Sequence, residues 1–309
     1  MKDSALGMRR WILLLILALI WGSSFILMKK GLQAYPPEQV AAIRMCVASL
    51  CLLPFIAHRF REVPSNLWKY VAASGFLGNG IPAFLFAFAQ THVNSSIAGM
   101  LNSLTPVFTL LLSFFILKKR SSNQHVLGVF LGLVGALIII LFRSKGGFSG
   151  DISYGFLIAL ATLCYACSIL VIKTKLGAIP SLPLAGFAVT TAAVPYALFL
   201  TFTDFSARFA ADMAAASSGG ELPIFHLPGW SSFAAVSVLA VMGTAIGLLF
   251  FNSLIRTSSA LFASSVTYLI PLVALFWGFS DHEQLGIYHF AGLLAILGGV
   301  YLINRPENA

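Results

Sequence analysis

The chain has 309 residues, 59% of them hydrophobic and only 9% charged, with a mean hydropathy of +0.91. A soluble domain carries about 25% charged residues, so this composition excludes a water-soluble globular protein and implies a polytopic membrane protein. The formal charge of +9 would suggest nucleic acid in a soluble chain; here it points to Lys and Arg gathered in cytoplasmic loops, and no nucleic-acid partner is expected.

A helix needs about 20 mostly apolar residues to cross a bilayer core. In chain order such runs are predicted at 11–29, 37–57, 68–89, 95–117, 125–142, 152–172, 182–203, 230–254, 259–279 and 285–303, an all-α protein of ten transmembrane helices. The first contains LALIWGSSFILMKKG, Leu17 to Gly31. It has the basic flank and apolar core of a signal peptide, but nine spans follow and no clear small-x-small cleavage site ends it. Most connections are short. The long one, about 204–228, contains FSARFAADMA, a mildly amphipathic piece suited to the membrane surface. Cys46, Cys51, Cys164 and Cys167 all lie in apolar runs and form no disulfide framework. Cys164 and Cys167 read as small packing residues rather than a zinc or redox pair.

Orientation follows from the basic residues. With the N terminus inside, the inner loops hold Lys2, Arg9, Arg10, Arg59, Arg61, Lys69, Lys118, Lys119, Arg120, Lys173, Lys175, Arg256 and Arg305. The outer loops hold only Lys29, Lys30, Arg143, Lys145 and Arg208, so both termini are expected in the cytoplasm. The first helix alone is nearly undecided.

The second half echoes the first. Leu19–Lys29 lies over Leu163–Lys173 at an offset of 144, Gly80 and Ser95-Ser96 over Gly243 and Ser258-Ser259 at 163, and Pro106 over Pro271 at 165. His125, Gly128 and Gly135 lie over His289, Gly292 and Gly299 at 164. Two five-span repeats, 1–145 and 146–309, are expected. Five is odd, so the second enters the membrane inverted, an architecture of many secondary transporters.

The Trp-Gly-x-x-Phe of the first helix (Trp21, Gly22, Phe25), Arg44 in the second, and the Pro106 and Pro271 helices each followed by a Gly-rich span give the chain a resemblance to the drug/metabolite transporter superfamily, specifically its EamA-type ten-helix exporters. The resemblance covers nearly the whole chain. It implies export of small metabolites, commonly amino acids, across the inner membrane of a bacterial cell. That family often has a Glu after the fourth and ninth spans. Glu283 matches, but Lys118 stands in the first half, which argues against a role based on paired acids.

Helical spacing picks out candidate faces. Ser95, Gly99, Asn102, Pro106, Thr109 and Ser113 recur at steps of three or four, and so do Ala260, Ser264, Thr267, Pro271, Ala274 and Gly278. The third span has Gly75, Asn79, Pro82, Phe86 and Gln90. Small residues at such positions serve close helix packing or line a path; both readings stand. Asn79, Gln90, Asn102 and Asn252 need a partner or water inside a membrane. Pro106 and Pro271 each free a carbonyl and are expected as kinks for gating. Arg44, about 10 Å down its helix from Pro37, snorkels to headgroups, bonds helix-end carbonyls, or holds a substrate carboxylate. Trp21 with Ser24, and their repeat mates Tyr165 with Ser168, are expected on the wall of a substrate cavity.

All ten acids fall in loops or at helix ends, so tight proton coupling is not expected. A secondary carrier for small metabolites, amino acids or related zwitterions, is the leading function. The expected substrate-binding set is Trp21, Ser24, Arg44, Asn79, Asn102, Tyr165, Ser168, Asn252 and Thr267, with no metal and no cofactor. Partners are a small-molecule substrate and the lipid bilayer, with a homodimer left open. A membrane sensor without transport is the alternative. An intramembrane enzyme is a weaker one, because no H-E-x-x-H or paired Asp appears, and no Walker motif points to ATP.

Overall fold

The computed structural model describes residues 2–117, 123–142, 152–210, 228–257 and 266–304; among these, the side chains of 2–10, 117, 228, 252–253, 255–257 and 304 are also left out of the description. Eight helical runs are long and apolar enough to cross a membrane: α1 (Trp11–Gly31), α2 (Pro37–Ile56), α3 (Ser65–Ala89), α4 (Ser95–Ile116), α5 (Asn123–Leu141), α6 (Ile152–Leu176), α7 (Ser181–Thr201) and α8 (Gly229–Phe251). Two shorter apolar helices, α9 (Val266–Ser280) and α10 (Ile287–Ile303), follow. The protein is an all-α polytopic membrane protein. Outward-facing Leu50, Phe55, Phe115, Phe130, Leu198 and Leu294 are exposed, as a surface solvated by acyl chains requires.

Four spans are less regular than an apolar run predicts. In α3, Phe76–Gly80 is a π turn, with the Ile81 N–H reaching back to Phe76 O; in α8, Leu239–Ile246 is another, and α6 ends in a third, Ile172–Leu176. Gly78, Gly80 and the N–H-less Pro82 loosen the first, while Gly243 lies within the second and Gly247 follows it. The α3 and α8 π turns overlap under the 163-residue offset that relates Gly80 to Gly243. The remaining irregularity splits α4 into Ser95–Asn102 and Thr105–Leu117. Its break precedes Pro106, whose missing N–H leaves the Asn102 carbonyl without a helical donor.

Glycines set the contact between the halves. A Cβ placed on Gly128 of α5 would lie 2.7 Å from the Gly299 carbonyl of α10, and one on Gly135 would lie 2.5 Å from the Gly292 carbonyl. Gly128 corresponds to Gly292 and Gly135 to Gly299, so each glycine meets the mate of the other. That crossed pattern belongs to a two-fold axis between antiparallel copies. The α2–α7 pair packs likewise, with Ser49 Oγ 3.0 Å from Thr190 Oγ1. The halves interlock: α1 lies against α8 and α9, while α6 lies against α3 and α4.

The loop after α7 packs more closely than a free surface helix would. Residues 205–210 are helical, and Phe205 and Phe209 join Tyr35, Trp230 and Phe233 in an aromatic cluster. Asp204 receives hydrogen bonds from Gln39 and Arg208, which holds its carboxyl below the usual range, Arg208 being the larger cause. The remainder of FSARFAADMA, 211–214, lies outside the described residues.

Candidate functional site

α2 packs against α3, α7 and α8, so side chains of both halves meet along it. Arg44 projects from α2, half-buried, and its Nε donates to Thr244 Oγ1 at 3.1 Å, within the α8 π turn. Its guanidinium also lies in side-chain hydrogen-bonding range of Tyr165 on α6 and in electrostatic reach of Tyr196 on α7. Arg44 therefore turns inward between the halves instead of snorkelling to a headgroup layer. Among the described residues no carboxylate pairs with it.

Trp21 meets the neighbouring residue of the same π turn. Its Nε1 donates to Gly243 O at 2.9 Å, and its ring lies 5.1 Å from Phe251. The repeat-equivalent carbonyl, Gly80 O, accepts the Tyr196 hydroxyl at 3.0 Å. The α3 and α8 π turns are thus each held by an aromatic side chain from the opposite half. Such turns widen the helix and recur at functional sites. Tyr165 stacks on Phe86 at 6.0 Å, and Phe86 lies 5.7 Å from Phe25, which extends an aromatic wall beside Arg44.

The other expected residues fall in different settings. Ser24 Oγ donates to Ile20 O of its own helix at 3.0 Å, next to Gly243. Ser168 is buried; its Oγ donates to Ser74 O at 3.0 Å and closes on Gly78, a packing contact between α6 and α3. Asn79 sits in the α3 π turn, half-buried, its amide without a hydrogen bond to any described residue. Asn102 O accepts Thr105 Oγ1 at 2.9 Å. Thr267 O, freed by Pro271, accepts Ser103 Oγ at 3.2 Å. Hydroxyls thus satisfy both carbonyls that the prolines release, and Pro271 stays inside a continuous helix. The small stripes of α4 and α9 pack together, with Gly99 against Ala274 and Ser96 against Gly278. The Asn252 side chain, Ala260, Ser264, Ser258, Ser259 and Lys118 lie outside the described residues.

A second polar cluster, absent from the expected set, joins the halves at the Lys29 end. Glu283, its side chain 1% exposed, accepts from Lys29 Nζ at 2.7 Å. The same carboxylate caps α4: Oε1 takes Ser95 N at 2.9 Å and Ser95 Oγ at 2.8 Å, and Oε2 takes Ser96 N at 3.0 Å and Ser96 Oγ at 2.6 Å. An acid at a helix N terminus also meets the positive end of the helix dipole. Asp281 pairs with Lys29 at 2.7 Å and Lys30 at 2.9 Å. Those two ammonium groups hold the Asp281 carboxyl below the usual range. Burial pushes Glu283 up, but Lys29 and the Ser96 and Ser95 donors together outweigh it, and the net shift is downward. The Ser-Ser pair before an apolar run is an N-cap signal; nothing local in the sequence ties it to an acid 187 residues away.

Sequence reasoning missed Thr244 and Tyr196 as partners of the central groups. Thr244 follows Gly243, the repeat mate of Gly80, and that pairing was the available signal. Cys164 and Cys167 are free thiols, and no group of three or more His, Cys, Asp or Glu among the described residues is placed to hold a metal ion.

The comparisons with known proteins mark the chain as a membrane transporter rather than an enzyme. The chain belongs to the EamA-like transporter family, which matches residues 9–141 and again 152–305. It is 28% identical over 308 residues to the uncharacterized inner membrane transporter YedA of Escherichia coli K12, covering 95% of this chain and 92% of that one. It is 22% identical over 300 residues to a probable amino-acid metabolite efflux pump of the same strain, covering 94% and 93%. A solved crystal structure, 18% identical, superposes with a TM-score of 0.60 over 95% of this chain and 96% of the other, a likeness of fold.

Proposed function

We propose that this transporter is a secondary carrier exporting small carboxylate-bearing metabolites, amino acids and related zwitterions among them, by alternating access. Its halves, 1–145 and 146–309, exchange conformations about a site between α1–α3 and α6–α8. The protein sits in a bacterial inner membrane with both termini cytoplasmic, which places the Lys29 end outside. The observation that carries this reading is Arg44, a guanidinium turned between the halves and met by hydroxyls rather than by an acid. Arg presents a planar fork of donors that matches a carboxylate. Tyr165 and Thr244 stand beside it, Trp21 and Ser24 line the adjoining Gly243 of the same π turn, Asn79 offers an amide, and Pro106 and Pro271 bend α4 and α9 during gating. The efflux-pump name of one relative supports the same direction of transport.

The test is efflux from vesicles loaded with a broad substrate panel, comparing wild type with Trp21→Ala and Asn102→Ala. Wild type is expected to move at least one carboxylate-bearing solute, and Trp21→Ala to slow it most. A wild type that moves nothing across the panel favours a sensor. No acid stands in the middle of a span, so transport is facilitated or exchange-driven. Uphill accumulation in liposomes driven by a pH gradient alone would contradict that.

A further inference from the structure

We propose that the central site selects its substrate by the carboxylate alone: it prefers small monocarboxylates with an apolar body, bound as anions, tolerates zwitterions less well, and rejects organic cations. This rests on the carrier reading above and names the charge class that reading leaves open.

The argument is an inventory of charge. Arg44 has five N–H donors. One, at Nε, is committed to Thr244 Oγ1 at 3.1 Å. The Tyr165 and Thr244 hydroxyls beside it can turn to accept from the guanidinium or to donate to a bound anion. A carboxylate can therefore gain both the remaining fork and neighbouring O–H groups. Among the described residues no carboxylate stands beside Arg44 for an ammonium. Glu38, six residues before Arg44, stands about 9 Å away along the helix axis and about 240° round it. Glu62 pairs with Arg59, Asp204 with Arg208, and Asp281 and Glu283 with the lysines at the far end of α1. The described acids are thus spent elsewhere or on another face.

The aromatic wall works the other way, because ring faces attract cations. A ring face strengthens ammonium binding about two- to thirtyfold from exposed to desolvated settings. A like charge about 6 Å from the guanidinium, in a medium of effective dielectric about 20, weakens binding on the order of a hundredfold. Repulsion wins, and the half-buried rings of Trp21 and Tyr165, backed by buried Phe25 and Phe86, serve the substrate's apolar body.

Phenylalanine and two compounds that each lack one of its charges test this: 3-phenylpropanoate, without the ammonium, and phenethylamine, without the carboxylate. Binding is measured to the full-length protein in nanodiscs at pH 7. The expected order is 3-phenylpropanoate about threefold or more tighter than phenylalanine, with phenethylamine not binding. Arg44→Gln should erase the order, and Arg44→Lys should keep the anion preference at lower affinity; each variant's melting without ligand reports its folding. Should Arg44→Gln not fold, the order among the three probes on wild type and Arg44→Lys still decides. Phenethylamine or phenylalanine binding as tightly as 3-phenylpropanoate overturns the proposal, as does an order unchanged in Arg44→Gln or the binding of none of the three. Vesicle efflux of some other panel solute, alongside any of those results, leaves the carrier reading standing. An empty panel together with the expected binding order sinks the carrier reading and keeps the site.

Discussion

Lys29 and Arg44 are both cations placed by apolar helices, and their surroundings are opposites. Lys29 ends α1 between Asp281 and a Glu283 side chain that is 1% exposed, and every oxygen of that glutamate is met. Arg44 stands between the halves with hydroxyls and rings, and no described acid. A charge that the fold has fully compensated holds elements together. A charge left with neutral partners still has binding capacity for a ligand. The first cluster ties α1, the start of α4 and the α9–α10 turn; the second faces the interface that alternating access must open.

Breaking the compensated cluster should show first as lost stability. Glu283→Gln leaves the Lys29 charge and two helix-end N–H groups short of an anion, and is expected to cost about 2–3 kcal/mol, read as a lowered melting temperature in detergent. Carboxylate binding at the centre should change little in the same variant.

Acid should act on that cluster through its two buried or half-buried carboxylates. Both Asp281 and Glu283 titrate below their ordinary values. Their contribution is therefore complete above about pH 5 and is lost as pH falls through the depressed values. The difference in melting between wild type and a variant lacking both carboxylates should be constant above that range and shrink below it. A double Asp281→Asn, Glu283→Gln variant should begin lower and show a shallower acid fall.

Smaller effects sharpen the boundary. Trp21→Phe keeps the ring but removes the donor to Gly243 O. It should lower stability by about 1 kcal/mol and slow efflux without altering which charge class binds. Lys30→Ala removes an ion pair whose lysine side chain is 43% exposed, and melting should move by less than about 0.5 kcal/mol equivalent.

Much of the architecture was legible because apolar runs of membrane-spanning length leave few alternatives, and because Gly, Pro and His recur at nearly constant offsets. Gly128 with Gly299 and Gly135 with Gly292 turned that spacing into a contact. Trp21, Arg44 and Tyr165 stood out as groups that need a partner inside a span, since large polar or cationic groups there need a local reason. Their partners were not. Thr244 and Tyr196 reach the centre only because α7 and α8 pack across the two-fold, which no spacing within one helix reveals. The π turns escaped for a related reason: Gly78, Gly80 and Pro82 permit one, but packing selects it. Glu283 read as one more loop acid because its partners, Ser95, Ser96 and Lys29, are distant in the chain. The small stripe on α4 read as path or packing, and Gly99 against Ala274 shows packing there.

The central claim is that transport uses the charge of Arg44 while the fold uses the charges around Lys29. Counterflow of a carboxylate substrate into proteoliposomes, with Arg44→Gln and wild type reconstituted in equal amounts and their melting measured in parallel, tests it most directly. The expected result is a rate at least about tenfold lower for Arg44→Gln, one lost ion-pair contact being worth this much or more, with melting close to wild type. A full rate in Arg44→Gln would contradict the account.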